Sequence, residues 1–281
     1  MHDAKVRSRT IQFAVGASTL LLAHSTLAQD FIKGGEDRFT LNLGGIVNQF
    51  DTSVGLNGGT TQGTPIDLEG NGLNKSLSSF QASGTWRWAA NHRSDFLYFS
   101  AKRSGSRQYD RDITWGDNVY KAGFDINAQA KDEFLFLDYR YSFHKSEALE
   151  FAGVLGLYGG RFNFDLNGTV SVAGGGGATT TASSSSSTTV PLPLIGVSLD
   201  WYIQPRWKAT TMLSGMQAKI GNVDGRATVF SLGTDYMLTR NWGLGLTYTY
   251  TDVGVDVTKD SFNGKLDWKM NAVMAYATMK F

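Results

Sequence analysis

Histidine is the residue type that most limits which chemistry this sequence could support. The 281 residues contain four histidines: His2, His24, His92 and His144. His2 and His24 lie in an N-terminal segment of the type removed on export, and the other two lie in short polar segments between predicted strands. A hydroxyl nucleophile needs a base within hydrogen-bond reach, most often a histidine. We therefore expect no histidine-based catalytic site and predict that the protein is not an enzyme.

Carboxylate chemistry would have to come from the charged stretch within residues 96–143. Its acidic residues are not spaced like a metal-binding motif, so neither a metal nor a cofactor is predicted. A run of mixed charges is usually a solvated surface, and we interpret this one as the rim of a projecting hairpin. An enzyme or adhesin acting through that hairpin is the alternative. The charged residues concerned are Asp110, Arg111, Asp112, Asp117, Asp125 and Asp132.

The elements that would position these residues are strands. Residues 134–143 and 149–157 alternate apolar with small or polar side chains on either side of the charged turn 144–148, a pattern typical of a β-hairpin. The apolar face is large and aromatic, and the other face carries charges. A soluble sandwich buries its apolar face, whereas a transmembrane barrel turns that face to lipid and the polar face to its lumen.

The N-terminus favours the membrane barrel. A basic start and an apolar run at residues 11–23 precede small residues that end at Ala28, which predicts a signal peptide at 1–28 cleaved after Ala28. The apolar run is shorter than the roughly 20 residues that a spanning helix needs. Residues 29–281 are then predicted to form one outer-membrane barrel domain.

Composition excludes several other classes. The net charge is only +1, so nothing favours a nucleic-acid partner. The chain has no cysteine, so an exported form would carry no disulfide. Glycine is abundant, with 33 residues, and proline is scarce, with four, so no proline-rich linker marks a second domain.

Ten strands are predicted in an all-β, transmembrane, antiparallel up-and-down barrel, with eight strands as the alternative if the hairpin at 226–257 is miscounted. The tract at 167–189, rich in Gly, Ser and Thr, is predicted to be a disordered outer loop. The predicted strands are 38–56, 75–90, 96–114, 124–143, 149–166, 194–202, 207–220, 226–238, 242–257 and 265–281.

The last strand contains a conflict of phase. Leu266, Trp268 and Met270 alternate out of step with the apolar set that ends at Phe281. This predicts a bulge near Asn271 or a polar upper end.

Short turns at one end and longer loops at the other are typical of outer-membrane barrels with both termini in the periplasm. The predicted short turns are 91–95, 144–148, 203–206 and 239–241. Aromatic residues gather beside them and predict a girdle at a membrane–water interface. These residues are Trp86, Trp88, Phe96, Tyr141, Phe143, Trp201, Tyr202, Trp207 and Trp242.

A set of charged residues on the polar strand faces is predicted to line the lumen and to pair there. A barrel of eight strands is filled by its side chains, so a ten-stranded one should be filled or leave a thin passage. The predicted lumen charges are Arg87, Asp138, Arg140, Glu150, Asp200 and Asp235.

Several segments together resemble a loosely characterised family of proteobacterial outer-membrane β-barrel proteins. The resemblance covers nearly the whole chain after the signal segment and implies the same fold and compartment. A terminal aromatic such as Phe281 resembles the assembly signal of such barrels, which implies the barrel assembly machinery and outer-membrane lipid as partners. The family carries no established activity, so no catalytic residue follows from it. The segments are DRF at 37–39, HRSDFLYFSAKR at 92–103, DRDITWGDNVYKAG at 110–123, YRYSF at 139–143, PLPLIGV at 191–197 and DYMLTRNWGLGLTYTYTDVGVDV at 235–257.

The sequence thus predicts an integral protein of the cell outer membrane, either structural or a porin-like passage for small solutes. It does not identify a ligand or a solute.

Overall fold

The computed structural model describes residues 37–70, 72–171, 179–259 and 262–281. Its elements are all strands, and this part of the chain contains no helix that could serve as a membrane span. The strands are β1 (Phe39–Leu56), β2 (Ile66–Asp67), β3 (Ser76–Ala89), β4 (His92–Gln108), β5 (Ile113–Trp115), β6 (Asn118–Tyr120), β7 (Asp125–Lys145), β8 (Leu149–Ser171), β9 (Thr179–Gln204), β10 (Trp207–Ile220), β11 (Val223–Met237), β12 (Trp242–Lys259) and β13 (Phe262–Lys280).

Ten long strands close into a ring. Each pairs antiparallel with its neighbours in the order β1, β3, β4, β7, β8, β9, β10, β11, β12 and β13, and β13 returns to β1. The closing seam runs in register from Thr40 opposite Lys280 to Leu56 opposite Gly264. A closed ring leaves no unpaired strand edge, which is what a sheet needs in order to span lipid. The prediction of ten strands is confirmed, and the alternative of eight is wrong.

The two ends of the barrel differ. At one end, which we call the turn end, the ring strands are joined by short turns at 90–91, 146–148, 205–206 and 238–241, and the backbone N–H of Arg38 donates to the carbonyl of Phe281 over 3.0 Å. The opposite end, the loop end, carries the longer connections, which include β2 and the β5–β6 hairpin. Among the described residues of the loop end, the connection at 221–222 is a tight turn.

The predicted turn at 91–95 is wrong, because the strand already begins at His92. Arg93 and Asp95 therefore belong to the barrel wall, and both point into the lumen.

The polarity of the wall reverses halfway along the barrel. On β7 the outward side chains change from the polar Lys131 and Glu133 to the exposed Leu135 and Leu137. The inward side chains of the same strand are mostly apolar from Ile126 to Phe136, and Asp138 follows them in the turn-end half. The other strands follow the same pattern. The outward apolar residues of the turn-end half form a continuous surface, which we call the apolar belt: Phe80, Phe96, Tyr98, Leu135, Leu137, Leu155, Leu157, Ile195, Val197, Leu213, Leu232, Leu244, Leu246, Tyr248 and Val273.

Only the turn-end half therefore has the distribution expected of a membrane barrel. The loop-end half is built like a soluble barrel, with polar side chains outside and a packed apolar interior. This reversal explains the conflict of phase in the last strand. Leu266, Trp268 and Met270 point inward in the loop-end half, and Val273 points outward in the turn-end half. The register of β13 stays continuous on both sides, so the predicted bulge near Asn271 is wrong.

The low-complexity tract is largely strand. Residues 167–171 end β8 and residues 179–189 begin β9, and the two pair continuously from Asn167 opposite Ser183 to Ser171 opposite Thr179. The predicted disorder at 167–189 is wrong for these residues, because strand pairing is a backbone property that serine and threonine side chains do not prevent. Residues 172–178 lie outside the described residues, as does the predicted signal peptide at 1–28.

Candidate functional site

The lumen of the turn-end half contains a network of buried ion pairs. Arg87 donates to both carboxylate oxygens of Glu150 over 2.9 and 2.8 Å, and the Ser142 hydroxyl also donates to this carboxylate. Arg93 donates to Asp200 over 2.5 Å. All of these side chains are buried. A buried charge is tolerated when it is paired and hydrogen-bonded, as these are.

Further pairs continue the network around the wall. Nε of Arg140 lies 2.5 Å from Oδ2 of Asp95, and Nζ of Lys208 lies 3.1 Å from Oδ2 of Asp235. The hydroxyl of Tyr276 also donates to Asp235 over 2.7 Å.

The structure thus places all six predicted lumen residues on the inner wall. Asp138, the sixth, has the hydroxyl of Tyr158 at 3.5 Å. Sequence reasoning missed Arg93, Asp95 and Lys208, which lie on β4 and β10, two strands for which no lumen residue was predicted.

A cavity of about 280 Å³ lies among these charges. Several buried polar atoms along the inner wall have no hydrogen-bond partner within the described chain, including the side-chain amide of Asn48 and Nε of Arg93. A polar cavity of this size has room for ordered water that would satisfy such atoms.

The loop-end half closes the lumen with aromatic side chains. We call the five buried rings Phe50, Phe99, Phe134, Phe162 and Trp268 the plug. The Trp268 ring lies 4.7 Å from that of Phe134 and 6.1 Å from that of Phe162, measured between ring centroids. Trp268 is on β13 and Phe162 is on β8, five strands away in either direction around the ring. Their contact therefore spans the full width of the barrel.

The connections at residues 57–75 and 109–124 fold over the plug, and we call them the lid. Leu68 and Leu73 from the first, and Trp115 and Tyr120 from the second, are buried against the apolar interior. Backbone hydrogen bonds join the two connections. In one of them, the N–H of Thr64 donates to the carbonyl of Thr114 over 2.9 Å.

A buried triad of charges ties the lid to the wall. Arg103 on β4 donates to Asp132 on β7 over 2.9 Å and also to Glu69 in the lid. Its guanidinium lies 4.1 Å from the centre of the Phe50 ring and donates to the Thr52 hydroxyl over 3.2 Å. The arginine and aspartate side chains are fully buried. Asp132 was predicted to lie on a solvated rim, and that is wrong because its strand position faces inward.

Two of the rim carboxylates, Asp112 and Asp117, have structural partners. Asp112 accepts hydrogen bonds from the ammonium of Lys121 over 2.8 Å and from the N–H of Ala122 over 2.9 Å. The hydrogen bond from Lys121 lowers the pKa of Asp112. Asp117 accepts a bond of 2.9 Å from the N–H of Gly59, which joins the two halves of the lid.

Three carboxylates come together at the loop end. Carboxylate oxygens of Asp51, Asp67 and Glu69 lie within 4.8 Å of one another. Glu69 is also the partner of Arg103, so this group already has a structural cation beside it.

Aromatic side chains surround the turn end. Seven of the residues predicted to form a girdle are between 41 and 56% exposed: Trp86, Trp88, Tyr141, Phe143, Trp201, Trp207 and Trp242. Phe281 is 68% exposed beside them. Tyr202 does not belong to this set, because it points inward with its hydroxyl 3.4 Å from Glu150.

This closed ring, with its apolar belt and charged lumen, defines the fold of an outer-membrane β-barrel protein. The outer-membrane protease OmpT from Escherichia coli has this fold, with a TM-score of 0.53 and 8% identity over 89% of this chain and 99% of that one. Ail from Yersinia pestis is a further similar structure, with a TM-score of 0.33 and 12% identity over 88% of this chain and 99% of that one. OprG from Pseudomonas aeruginosa is another, with a TM-score of 0.35 and 14% identity over 89% of this chain and 97% of that one. OmpT and OprG are both outer-membrane proteins. No protein-family model and no curated protein sequence matches the chain.

At identities this low, the likeness to the protease shows the fold alone.

Proposed function

We propose that this protein is an integral outer-membrane barrel with a structural role and that it is closed to solutes. Its loop-end half would be exposed to water on the outer surface of the cell. The apolar belt would lie in lipid and the aromatic residues of the turn end would form the girdle at the periplasmic interface. The loop-end half, polar outside and apolar inside, would stand above the lipid like a soluble domain.

The observation that carries the proposal is the plug. Trp268 meets Phe162 across the full width of the lumen, and the lid packs over them. Because these rings are buried and pack against one another across the lumen, they support a barrel that is closed to solutes.

Conductance in planar bilayers tests this proposal. The purified wild-type barrel should give no steady current. Stable single-channel steps would overturn the closed barrel and favour the second candidate, a porin-like passage for small solutes. That candidate has one observation in its favour, the polar cavity of about 280 Å³ in the turn-end half.

Orientation can be tested because the chain contains no cysteine. Gln129→Cys, on the outer face of the loop-end half, should react with a membrane-impermeant maleimide on intact cells. Arg240→Cys, in a short turn, should react only after the outer membrane is permeabilised, and Leu155→Cys in the belt should stay protected. Labelling of Arg240→Cys on intact cells would refute the orientation.

Export and assembly form part of the proposal. The basic and apolar N-terminal segment supports cleavage after Ala28, so N-terminal sequencing of the mature protein should begin at Gln29. The terminal aromatic supports recognition by the barrel assembly machinery, and deletion of Phe281 should lower the amount of folded protein in the membrane. Mature protein that retains residues 1–28 would contradict the first expectation.

We also propose that the protein is not an enzyme. The carboxylates of Asp112 and Asp117 hold the lid together, which supports a structural use of the rim. Peptide or lipid hydrolysis by the wild type, lost in Asp110→Ala or Asp112→Ala variants, would overturn this proposal in favour of an enzyme acting through the projecting hairpin.

A further inference from the structure

Two lysines face each other on the outer wall just above the apolar belt. Lys102 on β4 and Lys131 on β7 are direct partners in the antiparallel register, and both side chains are exposed. Like charges placed directly opposite each other on a sheet are destabilising. This arrangement is therefore a local cost unless an anion lies between the two ammonium groups.

Glu133 is the anion that pairs with Lys131 at this position, and a third cation lies opposite that glutamate. Arg161 on β8 is exposed and lies opposite Glu133 in the register, and Lys131 Nζ lies 2.9 Å from a Glu133 oxygen. Within the described part of the chain, Lys102 has no ion-pair partner. We call Lys102, Lys131 and Arg161 the cationic patch.

The opposite side of the barrel shows that such a mismatch is avoidable. Lys269 on β13 lies between Asp51 on β1 and Asp252 on β12, its direct partners in the two registers. On the same side, Lys265 lies 3.5 Å from Asp256. The outward lysines there face anions, whereas Lys102 and Lys131 of the patch face each other.

The patch lies at the edge of the belt. Lys131 is four residues from Leu135, and Lys102 is four residues from Tyr98, both of which are exposed belt residues. Four residues of strand span on the order of 13 Å, and less along the membrane normal because barrel strands tilt. This places the ammonium groups at the depth of lipid headgroups when the belt lies in the hydrocarbon.

We propose that the cationic patch binds the anionic phosphate headgroup of a lipid in the outer leaflet. The phosphate oxygens would accept charge-assisted hydrogen bonds from the two lysines and from the arginine fork, while the acyl chains would lie along the belt below. This inference rests on the membrane position that belongs to the proposed function.

The test measures lipid binding to the folded barrel. Native mass spectrometry would follow the titration of wild type with lipid A that carries two phosphates, in a zwitterionic detergent. The double variant Lys102→Ala/Lys131→Ala should bind at least about tenfold more weakly, since a basic residue near an anionic lipid surface contributes about 1 kcal/mol. The matched double variant Lys265→Ala/Lys269→Ala removes the same charge and should bind within about twofold of wild type.

Two further measurements distinguish headgroup binding from a loss of fold stability and from binding through the acyl chains alone. In detergent without phosphate lipid, the patch double variant should unfold at the same temperature as wild type or higher, because a repulsive pair has been removed. Lipid A without its phosphates should bind wild type as weakly as it binds the variant.

Equal lipid binding by the patch double variant and wild type would overturn the inference. Equally tight binding of a soluble sulfated glycan or inorganic phosphate by the patch would overturn it too. Heat-modifiable gel migration should show that the wild type and every variant form a folded barrel. A wild type without heat-modifiable migration would contradict the proposed function, whereas a folded barrel that binds no phosphate lipid would contradict only the patch.

Discussion

Replacing Arg103 with methionine tests whether the buried triad holds the lid on the barrel. Methionine keeps a long apolar stem but leaves Asp132 and Glu69 without their cation. The arginine and aspartate side chains are fully buried, and the glutamate is 5% exposed. Breaking a buried pair by removing one partner typically costs about 3–5 kcal/mol, because the remaining charge stays buried. The ratio of folded to unfolded protein should therefore fall about 150- to 5,000-fold.

The assay is urea unfolding of the barrel in lipid vesicles, followed by tryptophan fluorescence. The probe is well placed, since the indole N–H of Trp268 lies 3.4 Å from Asp132. The free energy of unfolding should drop by about 3–5 kcal/mol, and neutralising Glu69 and Asp132 in the same chain as Gln and Asn should recover part of it.

Arg226 provides a matched control. Its guanidinium lies 3.0 Å from Asp267, close to the 2.9 Å of the buried pair, but its side chain is 62% exposed. Exposed pairs contribute only about 0.2–1 kcal/mol, so Arg226→Met should have little effect. If Arg103→Met costs no more than Arg226→Met, the reasoning from burial is wrong and the triad does not hold the lid.

Two further substitutions test the packing of the turn-end half. A side-chain carbon at Gly245 would lie 2.2 Å from the Tyr276 ring, so Gly245→Ala should displace this tyrosine and lower the thermal unfolding midpoint. The control Gly153→Ala has open space around the new carbon and should leave the midpoint unchanged. Equal midpoints for the two variants would contradict the close packing at Gly245. Leu246→Arg, in the middle of the apolar belt on β12, should destabilise the barrel in vesicles by about 2–4 kcal/mol, the cost of an arginine near the membrane midplane. Gln129→Arg, outside the belt, should leave the unfolding free energy unchanged, and an equal loss in both variants would show that the belt does not lie in lipid.

The ring of strands followed from local patterns in the sequence. Alternation along 134–157 and 242–250 marks one apolar face on each strand, and side-chain direction in a strand follows from its period of two residues. The six predicted lumen charges could be recognised for the same reason. Arg93 was not recognised as a lumen residue because the charged segment 91–95, next to a tryptophan-rich strand end, was interpreted as a turn.

The reversal of polarity halfway up the wall, the plug and the lid were decided by tertiary structure. Alternation shows that a strand has two faces, but not which of them meets lipid, water or the opposite wall. Trp268 and Leu244 are both apolar residues in a strand, yet one crosses the lumen to Phe162 and the other faces outward. That difference depends on how far each residue lies along a closed, tilted cylinder relative to a bilayer. A sequence pattern of period two contains no measure of that position.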